Sequence, residues 1–281
     1  MSQDSADVPA AALSMRRATA HAVRRCAARA WSLEDVSWNK VRPDDLTADD
    51  RSIVQLITYV EDHIPSYLSF LLSAFPTTGD LDVVTYVQNR SYAGFLIAWA
   101  YDEEKHAAAL TRYQICAGMA DEEKLLKQLA DAGRKPWGLP YEDPLELYVY
   151  AFLQEKATQL FYQRYQRVVR EPLLKELLAR LAMDEARHFG LYAKLVENCL
   201  KEAGPEALMG VKNVLGSFRM PLDGLLDGYW RMALAAVDTV QHDHTEAYNA
   251  IGRLVRGFSG SFGTPEVEDL MNVIGQVQRM P

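Results

Sequence analysis

Little in this 281-residue chain points to a cross-linked, membrane-spanning or nucleic-acid-binding protein. Cysteine is scarce: Cys26, Cys116 and Cys199 are odd in number and widely spaced, so neither a disulfide framework nor a zinc site is suggested, and a reducing cytoplasm fits best. The longest nearly unbroken apolar run, Tyr92 to Tyr101, falls short of the roughly 20 residues a bilayer requires, so no transmembrane segment is expected. An apolar core of the kind a secretory signal needs is also missing. Positive charge is outweighed, with 30 Lys and Arg against 38 Asp and Glu and a net charge of -8. That balance argues against a general nucleic-acid binder while leaving room for a local basic patch. No strand signal of any length appears.

What is present is helix. At 49% hydrophobic and 24% charged, the composition is that of a soluble globular protein with a substantial core. Residues 1 to about 12 are small and polar and are expected to be disordered. From Met15 to Ala30 the chain carries five arginines and no acid, a composition shared with organelle transit peptides; an amphipathic helix running into Trp31 is the reading taken. Asp44 or Thr47 can cap the next helix, in which Ile53, Leu56, Ile57, Val60, Ile64, Tyr67, Leu68 and Leu71 recur at helical spacing up to Phe75. Pro65 sits four residues after Glu61 and should kink that helix. Further helices are predicted over 82–117, 121–132, 144–170, 172–203 and 222–258, with a short one after Gly204 and a break at Met220-Pro221. A single all-α domain over 13–258 is expected, with 259–281 as a tail lacking a strong period.

Two segments stand out on this frame: Asp102-Glu103-Glu104-Lys105-His106 and Asp184-Glu185-Ala186-Arg187-His188. Each sets a glutamate three residues before a histidine, so both side chains leave one helix face. A lone pair of this kind is ordinarily helix surface. Two such pairs, with Glu61 and Glu155 on two other helices, make a constellation of four carboxylates and two imidazoles. Counting from Glu171, Glu155 lies 16 residues before the turn and Glu185 14 after it, so antiparallel helices bring them within about 3 Å of level. The Glu61–Glu103 pair is less level and needs either an overhanging helix or shifted boundaries. Four buried ionised glutamates would be prohibitive without counter-charge, and two divalent cations balance them. A Glu from each of two helices plus a Glu-x-x-His from each of two others is the ligand set of ferritin-like four-helix bundles, which hold two iron or manganese ions. Iron is the first choice and manganese the second, with zinc less natural. A ligating histidine usually donates its other N–H to a carboxylate, and pseudo-symmetry assigns Asp184 to His106 and Asp102 to His188. His21, His63, His242 and His244 read as ordinary side chains.

Glu61 through Tyr67, Asp102 through His106, Gln154-Glu155-Lys156-Ala157-Thr158 and Asp184 through His188 resemble, in order, the four ligand motifs of the soluble acyl-[acyl-carrier-protein] desaturases. Phe218-Arg219-Met220-Pro221 is similar to the break after that family's bundle. The resemblance covers roughly Trp31 to Phe258. It implies a dimeric, mainly helical protein whose diiron centre activates O2 with electrons from a ferredoxin and desaturates an acyl chain held on acyl carrier protein in a deep apolar channel. It also implies that Thr158 assists oxygen activation, against the plainer reading of a threonine bonded to the previous helical turn. A tryptophan on an electron path is implied too, with Trp31 and Trp38 competing. Phe95, Trp99 and Phe161 are candidates to line the channel, and core packing accounts for each of them equally well.

The chain is shorter than the plant enzymes and closer to the bacterial branch. A hydroxylase or oxygenase acting on a carrier-bound secondary-metabolite intermediate would keep the same ligands, and a non-catalytic metal-binding helical protein is the reading from another class. Arylamine N-oxygenases place an extra histidine where Leu181 stands. Ribonucleotide reductase small subunits usually begin their ligand set with Asp rather than Glu61, and membrane desaturases depend on histidine clusters missing here.

Overall fold

The computed structural model describes residues 9–28, 30–241 and 245–277, and the all-α expectation holds: no strand occurs among them. The arginine-rich segment forms α1 (Ala10–Ala28), which starts inside the stretch expected to be disordered; residues 1–8 lie outside the described residues. Short single turns over 33–45 lead to α2 (Ala48–Asp62), capped by Thr47, whose hydroxyl accepts from Asp50 N at 3.0 Å while Asp50 Oδ2 accepts from Thr47 N at 2.9 Å. The proline acts as predicted: α2 ends, His63 turns, and α3 (Ile64–Ala74) restarts with Pro65 in its first turn.

Four helices after that begin where a carboxylate can cap them. Asp82, Asp121, Asp143 and Glu171 accept backbone N–H bonds at the starts of α4 (Val83–Cys116), α5 (Glu122–Gly133), α6 (Pro144–Val168) and α7 (Pro172–Ala203). The bundle is α2, α4, α7 and α6, with α6 and α7 as an antiparallel hairpin and α1 lying along α4 and α7. The boundaries of α4 match prediction to within about a residue, so its 34 residues overhang and absorb the mismatch between Glu61 and Glu103.

Past α8 (Leu208–Ser217) two expectations give way. The long helix predicted over 222–258 is two, α9 (Tyr229–Val240) and α10 (Thr245–Arg256), because Gln241 turns left-handed at φ 49°. Leu222 is also left-handed, at φ 64°, a local cost of about 1–2 kcal/mol. Burial of its side chain offsets that cost. The supposed tail folds as α11 (Ser259–Phe262) and α12 (Thr264–Val277), with Val267, Leu270 and Ile274 in the core. The spacing 267, 270, 274, 277 is helical, and the glycines around it masked the period.

Two apolar cores fill the bundle. One includes Phe75, Tyr92, Phe95, Tyr148 and Tyr192; the other includes Trp31, Ile53, Leu110, Tyr165 and Leu177. Along α4 the first core ends at Trp99 and the second begins at Ala109; along α7 the second ends at Ala182 and the first resumes at Leu191. The polar residues between them form one layer across the bundle. α9 bridges α2 and α6 on the side where those two helices do not pack closely.

Candidate metal centre

Into that layer the four bundle helices deliver all six predicted ligands, every one of them buried. Ligand atoms of Glu61, Glu103, His106 and Glu185 lie within 4.8 Å of one another, and so do those of Glu103, Glu155, Glu185 and His188. Glu103 and Glu185 belong to both groups. Glu103 Oε2 is 3.3 Å from His106 Nδ1 and its Oε1 is 3.0 Å from His188 Nδ1. Glu185 repeats this, with Oε1 3.6 Å from His106 Nδ1 and Oε2 3.4 Å from His188 Nδ1. Each therefore turns one oxygen to each half, as bridging carboxylates do, while Glu61 and Glu155 each serve one half.

The electrostatics fit a site for positive charge. Burial, then repulsion from Glu103, pushes the Glu61 carboxyl up to about 7. Burial with Glu103 and Glu155 raises Glu185 well above the ordinary range. Burial would raise Glu103 as well, but His106 and His188 outweigh it and hold that carboxyl low. Both imidazoles are driven upward despite their burial, His106 chiefly by Glu103 and then Asp184, and His188 chiefly by the nearby Asp102 carboxylate. A centre in which Glu61, Glu185 and both histidines hold protons to offset crowded carboxylates is one suited to cations. His106 Nδ1 and Glu155 Oε2, both facing inward, have no hydrogen-bond partner.

Around this centre the two aspartates are buried and cross over as the pseudo-symmetry implied. His106 Nε2 lies 3.1 Å from Asp184 Oδ2, and His188 Nε2 lies 3.5 Å from Asp102 Oδ2. Lys105 pairs with Asp102 at 2.7 Å and Arg187 pairs with Asp184. Two acids and two bases make this outer ring neutral by itself, so the inner four carboxylates keep their own charge to balance. Trp31 completes one side: its Nε1 donates to Asp184 at 2.9 Å and its ring stacks over His106, with centroids 6.4 Å apart. Trp38 instead donates to the Leu33 carbonyl.

Two cavities touch the layer. One of about 40 Å3 is lined by Glu61, Glu103, Glu155, Trp99, Tyr67 and Tyr192 among others. The other, about 160 Å3, lies between α2, α6 and α9 against Val60, Ala157, Thr158, Phe161, Tyr162 and Ala233. Of the proposed lining residues, Trp99 and Phe161 meet a cavity, whereas Phe95 packs into the core, T-shaped against Tyr192. The Thr158 hydroxyl takes a 3.2 Å bond from Gln154 Nε2 and none to the preceding turn's carbonyl among the bonds described. His21 is exposed and His63 is buried against Tyr67; His242 and His244 lie outside the described residues.

Sequence reasoning passed over Tyr162, whose hydroxyl donates to Glu61 Oε1. Its position seven residues after Glu155, on the same face of α6, was the available signal. The ring of Lys105 and Arg187 was equally visible at i+3 from each aspartate.

A four-helix bundle carrying paired carboxylate and Glu-x-x-His clusters defines the class of dinuclear carboxylate proteins. Residues 34–252 match the family model described as fatty acid desaturase, and the chain belongs to that family. Acyl-[acyl-carrier-protein] desaturase 6, chloroplastic, of Oryza sativa subsp. japonica is 29% identical over 180 residues, covering 60% of this chain and 41% of the rice protein. DesA1 of Mycobacterium tuberculosis, described as an acyl-[acyl-carrier-protein] desaturase, is 22% identical over 189 residues, covering 64% of this chain and 53% of that protein. The chain thus spans about two fifths of the length of the plant relative. The X-ray structure of DesA2 from M. tuberculosis H37Rv superposes with a TM-score of 0.62 over 93% of this chain and 99% of that one, at 18% identity, which is a likeness of fold. No helix among the described residues is long and apolar enough to cross a membrane.

Proposed function

We propose that this protein is an O2-dependent diiron acyl-[acyl-carrier-protein] desaturase that introduces a double bond into a carrier-bound acyl chain. The observation that carries the reading is the pair of ligand clusters sharing Glu103 and Glu185 and bordering a cavity with apolar walls. Glu61, Glu103, His106, Glu155, Glu185 and His188 would hold two iron ions, with manganese the second choice. Such ions, when bound and reduced, supply O2 activation for hydrogen abstraction.

The chain's own residues do the rest. Asp184 fixes His106 with Nδ1 toward the centre, and Asp102, 3.5 Å from His188 Nε2, faces the outer nitrogen of the other imidazole. The apolar wall between α2, α6 and α9 holds hydrocarbon and excludes water, and Thr158 offers a hydroxyl in that wall for a proton. Trp31 meets His106 through Asp184 and is the residue we assign to the electron path. A ferredoxin-type donor, acyl carrier protein as the substrate's carrier, a homodimer and a cytoplasmic setting extend the proposal from the family.

The test is turnover of the iron-reconstituted chain with ferredoxin, O2 and a panel of carrier-bound acyl chains, read by mass spectrometry. Loss of two hydrogens, abolished by Glu155→Ala, is expected. Gain of an oxygen atom instead would point to the hydroxylase, and iron uptake without any product would sink the enzymatic reading.

A further inference from the structure

The outer face of α4 is apolar where the bundle makes no use of it. Its inner face buries Glu103 and His106, whereas the outer one leaves Val83, Tyr86, Ile97 and Tyr101 exposed, Ile97 at 66% and Tyr101 at 65%. Scattered apolar residues on a surface need no explanation, but these follow one stripe. With Arg90, Gly94 and Glu104 they recur at steps of three and four residues from 83 to 104, the period of a seam along which one helix packs on another. Among the described residues nothing covers this seam: α1 lies beside it, across a groove of about 550 Å3 that Tyr86, Arg90 and Gly94 help to line.

The stripe is complementary to itself. Arg90 and Glu104, both exposed, stand seven residues before and after Ile97, about 10 Å along the helix in each direction, and neither forms a salt bridge among the described residues. A second α4 turned end for end about Ile97 sets the partner's Glu104 against Arg90 and the partner's Arg90 against Glu104. The same rotation lays Tyr101 over the partner's Gly94, where no side chain stands, and Tyr86 over the partner's Ala108. In the single chain the Arg90 guanidinium folds back over Gly94, 3.2 Å from where a Cβ would sit, and swinging out to the partner's Glu104 clears that slot. A parallel pairing would instead oppose Arg90 to itself and Tyr101 to itself. We propose that the outer face of α4 is the surface on which a second copy of this chain docks, the two helices antiparallel with Ile97 on the two-fold axis. The proposal gives a surface to the homodimer of the proposed function and is independent of the chemistry of the metal centre, because Glu103 and His106 leave the opposite face of the helix.

The experiment is sedimentation of the full chain over a range of concentrations, with and without iron. Wild type should sediment as a dimer. Ile97→Glu, at a position too exposed to disturb the fold of the single chain, should weaken association at least about 100-fold, since it strikes the centre of the interface from both sides. Arg90→Glu and Glu104→Arg, each alone, oppose like charges twice in every dimer and should each weaken it about 10-fold. An equimolar mixture of those two single variants should dimerise as wild type does, because each residue 90 then meets a residue 104 of opposite charge, a recovery that a merely structural effect would not produce. A monomeric wild type overturns the proposal. So does a dimer that survives Ile97→Glu, which would put the contact on another face, or a mixture that fails to recover, which would break the antiparallel register. The expected dimer and its recovery in a chain that takes up no iron would support this surface while striking the proposed function.

Discussion

Glu61→Gln should make the metal-free protein more stable and the metal-loaded protein less so. Glu61 is buried, and its carboxyl is raised from 4.5 to about 7 by that burial and by Glu103. A raised acid holds its proton more tightly folded than unfolded, so its contribution to stability is full below about pH 4.5 and is lost as the pH climbs to about 7. Above that, keeping the site folded around an ionised Glu61 costs about 3 kcal/mol, at roughly 1.4 kcal/mol for each unit of displacement. Glutamine has the same shape, carries no charge, and can still accept the Tyr162 hydroxyl through its amide oxygen. Urea unfolding in chelator should therefore favour the variant by about 3 kcal/mol at pH 8, with the gap closing toward pH 4.5. Adding iron should reverse the order, because ions held at about 1,000 times their dissociation constant stabilise wild type by about 4 kcal/mol. A metal-free variant less stable than wild type at pH 8, or a gap that ignores pH, would refute the reasoning.

Trp31→Phe removes the N–H that meets Asp184 and should slow reduction of the iron centre by a one-electron donor in stopped-flow while leaving iron content unchanged. Leu270→Ala, at a fully buried position of α12, should cost about 2–5 kcal/mol in chemical denaturation, a loss that a loose tail could not produce. Thr47→Ala deletes the cap of α2 and should cost about 1 kcal/mol in the same assay.

The features legible in the sequence were those written in short spacings. Glu103 with His106 and Glu185 with His188 declare a shared helix face, and Pro65 declares the break beside Glu61, because helical geometry fixes both within one or two turns. The crossing of Asp184 to His106 could be inferred only because the two motifs repeat. Contacts between helices with no motif were hidden. Nothing in Tyr162 announces that its hydroxyl will find Glu61 about a hundred residues away, since that depends on how α2 and α6 are held apart by α9. The division of α9 from α10 escaped for another reason: Gln241 adopts a left-handed conformation that its side chain does not advertise, whereas a glycine there would have. Phe95 and Trp99 lie four residues apart on one helix and both belong to the core, yet only Trp99 also holds a carboxylate.

The turn at His63 carries a mechanical meaning. Glu103, Glu155, Glu185 and both histidines project from the middles of continuous rods, whereas Glu61 projects from a rod's last turn, two residues before a joint. Moving any of the others means shifting a whole helix against two dry cores. Moving Glu61 means flexing one hinge. The bundle can thus close on a pair of ions, and let one of them change its grip, by adjusting a single corner while the remaining three stand fixed.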